Sequence, residues 1–346
     1  VSATALRVRP PVALVLPIID VCGGRCTMCG IWQRPPRPPL DPARLARILG
    51  DPLLSGSLTH VNVTGGEPVD HPAFADIAAT LSDCLPSLVQ VNVNTSGLAA
   101  ERTVAGVEAF RQSLDPRVEM MATVSLDGIG KLHDRVRGVK GAFEETSRAV
   151  EGCVALSHRV AGLEVHLNCT ISHANLDGVR EVLGWARARG IGLTLTAAAS
   201  NDLYLGNVRY RARFGLTAPQ REELAGLLDG LQDDDVIPRT ERHYYEMVSG
   251  MLRGGDRSCD CVYQSHGVFL DLDGLVYPCG TAGELPYGRL PEESFEEVYL
   301  GPKGDEVRRA LMRGYCPSCP TNSYHGLADG VWLEVLRKGR AERWLS

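Results

Sequence analysis

From residue 12 to about residue 199, short apolar runs alternate with longer amphipathic ones, and this rhythm restricts the fold more than any other property of the chain. The strand candidates are ALVLPIID (13–20), HVNVTG (60–65), LVQVNVNT (88–95), VEMMATVSLDG (118–128), LEVHLNCTI (163–171) and GLTLTAA (192–198). Helical stretches separate them near 42–50, 73–84, 99–112, 143–157 and 176–189. In the last of these, Val179, Val182, Leu183 and Ala186 recur with the period of a one-sided helix. Six strands joined by helices predict a mostly parallel sheet with right-handed crossovers. Chemistry in such folds gathers at the C-terminal ends of the strands. Those ends carry Asp20, Thr64-Gly65-Gly66, Ser125-Leu126-Asp127 and Asn168.

After residue 200 the rhythm breaks. NDLYLGNVRYRARFG is polar and aromatic without a clean period, and helices are expected near 217–231 and 239–253. Residues 256–330 are rich in Gly, Pro and Cys, and VFLDLDGLVYP reads as a β-hairpin around Asp273-Gly274. A last helix is expected at 331–344. The expected organisation is a core barrel over 12–199, a bridging helical segment over 200–255, a small α+β domain over 256–330 and a C-terminal helix over 331–346.

The chain has 36 basic and 42 acidic residues, a net charge of -6, and no basic stripe for a phosphate backbone, so nucleic acid is not the expected partner. No segment has the apolar length of a membrane span, and the apolar leader VRPPVALVLPIID lacks the parts of an export signal. A cytoplasmic protein is expected. In a reducing compartment eleven cysteines point to metal ligation or redox work more than to disulfides. Cys84, Cys153 and Cys169 fall singly among apolar residues and read as small buried hydrophobes.

Cys22, Cys26 and Cys29, spaced C-GGR-C-TM-C, sit on loops too short to separate them and so converge on one centre. A cubane iron–sulfur cluster takes soft thiolates in such an arrangement, and three of them leave one iron open. Structural zinc also takes thiolates but prefers four protein ligands, and no fourth lies nearby. Buried non-ligand cysteines or part of a zinc knuckle are the alternatives.

This CxxxCxxC loop after a first strand, followed by Gly65-Gly66-Glu67-Pro68, resembles the signature of the radical S-adenosylmethionine (SAM) superfamily. The resemblance covers about residues 12–199. It implies a partial (β/α)6 TIM-like barrel and a [4Fe-4S] cluster on Cys22, Cys26 and Cys29 that cleaves SAM to a 5′-deoxyadenosyl radical. It also implies a flavodoxin or ferredoxin electron donor. Met28 corresponds to the family hydrophobe beside adenine, and Gly65, Gly66, Glu67 and Pro68 to the loop at the methionyl amino group; a loop-structuring carboxylate is the other reading of Glu67. Ser125, Asp127 and Asn168 resemble family residues around the SAM ribose or carboxylate. A cap or turn role explains the serine and asparagine equally well, and Ala197, Ala198 and Ala199 read either as a flat surface beside adenine or as a packed strand end.

Cys261, Cys279, Cys316 and Cys319 offer four thiolates, and a hairpin turning at Gly274 would bring the first two together. Four thiolates suit zinc or a fully ligated cubane equally. The order C-x12-G-x4-C then C-x2-C resembles the auxiliary-cluster domains of radical SAM enzymes, in the shortened, twitch-type form with one cluster. The cysteine arrangement is similar to that of 2-deoxy-scyllo-inosamine dehydrogenase and related aminoglycoside-biosynthesis enzymes. The resemblance therefore implies two [4Fe-4S] clusters. Cys259 is surplus to them and reads as a spare ligand, an ordinary cysteine or a catalytic hydrogen donor; the spacing favours Cys261 over it as the ligand. His325 reads as an ordinary loop histidine.

A saturated second cluster suits electron transfer. That favours oxidation of a secondary alcohol on an aminocyclitol or aminoglycoside, a polar, cationic small molecule, to a ketone. An epimerase returning hydrogen from Cys259 is one alternative and a peptide-modifying enzyme another. Asn201, Asp202, Tyr204, Asn207 and Tyr210 are substrate-contact candidates, and His133, Asp134, Arg135 and Arg137 are candidates for the barrel mouth or a surface charge cluster.

Overall fold

A computed structural model describes residues 9–231, 234, 236–237, 239–258 and 261–321. Cys259, His325 and the helix expected at 331–344 lie outside the described residues. The six expected strands are β1 (Ala13–Ile19), β2 (His60–Gly65), β3 (Gln90–Thr95), β4 (Glu119–Ser125), β5 (Leu163–Ile171) and β6 (Gly192–Ala197). They pair in parallel in the order of the chain. This is a partial TIM-like α/β barrel. Helices cover the outer face because each crossover must return the chain to the same edge.

The expected hairpin is β7 (Gly267–Leu270) and β8 (Leu275–Tyr277), antiparallel and followed by β9 (Gly288–Arg289). Gly274 takes φ +80° at the turn, and the Asp271 carboxylate accepts the Asp273 and Leu275 amides at 2.9 Å each. β7 also pairs in parallel with β1, so the sheet runs β6-β5-β4-β3-β2-β1-β7-β8-β9 without a break. The cysteine-rich region thus continues the barrel sheet beyond β1.

Local chemistry sets the helices. Asp41 accepts the Ala43 and Arg44 amides at the start of Pro42–Leu49, and Thr217 forms a capping box with Gln220 ahead of Ala218–Asp229. In Val179–Arg187 the four periodic residues Val179, Val182, Leu183 and Ala186 are all buried. Five α-helices among the described residues were not expected: Pro52–Ser57, Lys131–Arg137, Val262–Ser265, Phe295–Leu300 and Pro302–Gly314. Two of these begin on Pro at the first turn, where its missing N–H costs nothing.

One apolar core lies between β1–β4, β7, β8 and their helices, and a second surrounds β5, β6 and the helices Ala218–Asp229 and Arg239–Leu252. Cys153 and Cys169 are fully buried in these cores. Arg37 joins the hairpin to the barrel: its guanidinium lies 2.7 Å from Asp20 Oδ2, 2.8 Å from Asp273 Oδ2 and 3.6 Å from Asp271 Oδ2. Among the described residues no helix is long and apolar enough to cross a membrane.

Candidate active site

The end of β1 releases the chain into the loop that carries Cys22, Cys26 and Cys29, and this loop is held from two sides. On one side the Arg25 amide donates to Arg137 O (2.8 Å) and the Thr27 amide to Val136 O (2.9 Å). On the other, the Gly30 amide donates to Leu205 O (2.8 Å), and Asn207 Nδ2 donates to Met28 O (2.6 Å) and Ala199 O (2.9 Å). Met28 is buried against Val136 and Phe214.

The bridging segment therefore clamps the cysteine loop. Asn207 Oδ1 accepts the Asn201 amide and Asn201 Oδ1 accepts the Tyr204 and Leu205 amides, so these side chains are spent on backbone. Asp202 accepts from the Val208 amide and Tyr210 bonds Gln33. Of the five residues expected to meet substrate, Asn201 and Tyr204 reach the cavity wall.

Gly65 and Gly66 pack against the same strand end. A Cβ on Gly66 would lie 2.1 Å from Val21 O and one on Gly65 2.3 Å from Ile19 O; the Gly66 and Glu67 amides donate to Ile19 O and Val21 O at 2.6 and 2.8 Å. The close approach expected of the glycines is thus made first to the backbone leading into the cysteine loop. Glu67 turns inward: it accepts the Ser96 amide at 2.8 Å and bonds the Ser96 hydroxyl, and burial raises its pKa. Glu67 and Pro68 are buried behind the wall that Gly65 and Gly66 line.

The cavity holds about 440 Å³. Cys22, Cys26 and Cys29 line it together with Cys261, Cys279, Cys316 and Cys319, so the two cysteine groups face one space. Met28, Ser125, Asp127 and Asn168 line it as well. Tyr204 stands between the groups, its hydroxyl on Thr64 and its ring edge-on to Phe269 at 5.8 Å.

Asp127 is buried and pairs with Arg137 at 2.7 Å, while Arg137 Nη1 reaches Cys26 Sγ at 3.6 Å. Burial raises the Asp127 pKa, which the neighbouring guanidinium opposes. His133 is fully buried and accepts the Asp127 amide (3.0 Å), Asp134 accepts the Gly141 and Phe143 amides, and Arg135 is exposed. Asp127 is the only carboxylate among the described lining residues, and it is committed to Arg137. Beside apolar side chains such as Val15, Ile31 and Ala197, the wall carries the neutral polar residues Asn62, Asn94, Ser96, Asn168, Thr170 and Thr196. They are linked, for example Asn94 Nδ2 to Asn62 Oδ1 (2.6 Å) and Thr196 Oγ1 to Asn168 Oδ1 (2.9 Å). Their signal was visible in HVNVT and QVNVNT, where polar residues alternate with valine and so share the inward face.

The thiols fit a cluster. Burial pushes Cys22 up to about 12 and Cys29 to about 11, with Cys26 adding to both, so the three interact. A Cβ on Gly24 would stand 3.4 Å from Cys26 Sγ and 3.6 Å from Cys22 Sγ, placing two sulfurs around one point. Among the described residues no three His, Cys, Asp or Glu side chains close tightly enough for one ion. A cubane takes each thiolate on a separate iron, so its ligand ring is wider. In the second group burial pushes Cys316 up to about 11, with Cys279 and Cys319 adding to it. Arg257 ties that group: its amide donates to Pro317 O (2.9 Å) and its guanidinium to Cys319 O (2.9 Å).

A partial barrel whose first loop brings three thiols to a cavity at the strand ends defines an enzyme built around a thiolate-held cofactor. The chain belongs to the Radical SAM superfamily, which it matches over residues 16–191, just over half its length. The family's chemistry uses a [4Fe-4S] cluster and SAM. The chain is 25% identical over 234 residues to the AdoMet-dependent heme synthase of Oleidesulfovibrio alaskensis, covering 60% of this chain and 55% of that protein. It is 24% identical over 300 residues to the sporulation killing factor maturation protein SkfB of Bacillus subtilis, covering 83% and 64%. The chain thus spans less than two thirds of either relative. Among solved structures it resembles native anSMEcpe with bound AdoMet and Kp18Cys peptide (TM-score 0.61, 17% identity, 86% of this chain and 83% of that one). It also resembles SuiB of Streptococcus suis bound to S-adenosylmethionine (TM-score 0.61, 14% identity, 92% and 74%). At these identities the structural likeness is one of fold.

Proposed function

We propose that the chain is a radical SAM oxidoreductase with a second cluster on Cys261, Cys279, Cys316 and Cys319, in a twitch-type extension, and that it oxidises a secondary alcohol to a ketone. The observation that carries this reading is that both cysteine groups open into one cavity, so a substrate between them borders both. Cys22, Cys26 and Cys29 hold the first cluster, and Met28, Gly65, Gly66, Ser125, Asp127 and Asn168 line the SAM position. Glu67 and Pro68 support that position from behind. When bound there, SAM and the cluster supply a carbon radical that takes a hydrogen atom from substrate. Loss of the hydroxyl proton would leave one electron to remove, and a cluster held by Cys261, Cys279, Cys316 and Cys319 would be its acceptor.

The neutral polar side chains of Asn62, Asn94, Ser96, Thr170 and Thr196 within the lining suit a substrate rich in hydroxyls, as an aminocyclitol is. It gives less support to the cationic half of that expectation, because Asp127 is already paired. A peptide is the second reading, favoured by the resemblance to SkfB, a maturation protein, and to anSMEcpe holding a peptide. Neutral amide and hydroxyl side chains suit peptide groups too.

Incubation with SAM, a reductant and either aminocyclitols or peptides, followed by mass measurement, tests the proposal. Loss of two hydrogens from a cyclitol supports it. An unchanged mass with one deuterium gained from heavy water supports an epimerase instead, with Cys259 as the candidate hydrogen donor, and modification of peptides alone overturns the small-molecule reading.

A further inference from the structure

Two pieces of the cavity wall come from distant parts of the chain and are joined by one side chain. Met28 stands on the cysteine loop, while Ala197 ends β6 and Ala198 and Ala199 continue from it; all four line the cavity. Met28 and Ala198 also pack in one apolar cluster, so the two pieces form a single patch of wall. Asn207 ties them together. It is fully buried and is not among the described lining residues. Its Nδ2 carries two hydrogens, and donates to Met28 O at 2.6 Å and to Ala199 O at 2.9 Å.

The remaining polar atoms of Asn207 hold its own turn. Oδ1 accepts the Asn201 amide at 2.8 Å, and the Asn207 amide donates to Asn201 O at 3.1 Å. Asn201 Oδ1 accepts the Tyr204 and Leu205 amides, which closes residues 201–207 on themselves. The closed turn lies hard against the backbone after Cys29: a Cβ on Gly30 would stand 2.2 Å from Gly206 O. Arg34 adds donors to the carbonyls of Asp202, Leu203 and Tyr204. The turn is thus a firm base for Nδ2, and Oδ1 alone would suffice to close it. What Nδ2 adds is a fixed spacing between a carbonyl of the cysteine loop and a carbonyl at the end of the sheet. Methyl groups on one side and a thioether on the other make that patch flat and apolar, which suits the face of a planar base.

We infer that Asn207 is a positioning residue for the adenosyl half of SAM: by holding the Met28 and Ala199 carbonyls together it sets the apolar patch on which the adenine of bound SAM rests. The inference rests on the SAM position proposed above and deepens it by a residue outside the cavity lining.

The test uses the anaerobically reconstituted full chain and two variants. Asn207→Asp keeps an oxygen for the Asn201 amide but removes the amide hydrogens, and Asn207→Ser is a neutral companion without a buried carboxylate. SAM binding is measured by calorimetry. Methionine, which lacks the adenosyl half, is titrated against the electron paramagnetic resonance signal of the dithionite-reduced protein. Both variants are expected to bind SAM about ten-fold more weakly than the parent, with the same iron content and the same response to methionine. Parent-like SAM affinity in either variant overturns the inference. An equal weakening toward methionine overturns it too, because the asparagine would then shape the whole site and not its adenosyl half. Loss of iron from the variants has the same meaning, since Asn207 would then hold up the cysteine loop as such. A parent that carries the cluster but binds no SAM contradicts the proposed SAM position itself, a separate failure.

Discussion

Arg137 is the cation on which the interior of the site is organised. It is buried, it faces Asp127 at 2.7 Å, and it reaches Cys26 Sγ at 3.6 Å. Replacing it with Met would leave the buried Asp127 carboxyl without its guanidinium, to stay charged there or take up a proton, a change expected to cost about 3–5 kcal/mol of stability. Denaturant unfolding of the cluster-free protein measures this, and the added Asp127→Asn change is expected to recover part of the loss. A loss below about 1 kcal/mol would show that the pair does not hold the loop. His60 gives a second prediction at this scale. Burial alone lowers it from 6.5 to about 4. Between those values the unfolded chain binds one more proton than the folded one, so stability falls as the pH drops through this window, by up to about 1.4 kcal/mol per unit. Stability of parent and His60→Leu compared at pH 7 and pH 5 reads the contribution; identical pH dependence would remove it. At this scale the grouping of the cysteines was legible because close spacing is a local property. The roles of Asn201 and Asn207 were not, since a polar side chain that holds a loop looks the same in sequence as one that meets substrate.

Elements were legible where they were long and periodic. All six barrel strands and the main crossover helices follow from apolar spacing, with ends displaced by up to three residues. The short helices Pro52–Ser57 and Lys131–Arg137 escaped because so few residues show no period, and their stability comes from caps and tertiary contacts. The β7–β8 hairpin was visible in its Asp-Gly turn, but its pairing with β1 was not. A parallel ladder is made by backbone and leaves no signature in either strand alone. Arg37 is the side chain that secures this junction, through Asp20 just ahead of the cysteine loop and Asp273 in the hairpin. Arg37→Met is expected to speed amide exchange in Gly267–Leu270 and Leu275–Tyr277 while leaving β3 and β4 protected. Unchanged exchange in the hairpin would show that the β1 ladder alone suffices.

At the scale of the whole molecule, the continuous sheet is what brings the two cysteine groups to one cavity. β1 ends at the first group, and β7 and β8, hydrogen-bonded on from β1, lead to Cys279. The CPSC turn arrives from the far end of Pro302–Gly314 and is fastened by Arg257. A chain reading that separates a barrel from a cysteine-rich unit accounts for the two groups but not for their shared wall. That wall matters for the proposed reaction: if each group holds a cluster, hydrogen abstraction and electron removal would border one shared cavity.

Iron content of the anaerobically reconstituted protein, read with Mössbauer spectroscopy, tests this most directly. About eight irons per chain in two cubanes are predicted, falling to about four when Cys316 and Cys319 are both replaced by Ala, with SAM still cleaved. About four irons in the parent, with zinc or no metal on Cys261, Cys279, Cys316 and Cys319, would contradict the account.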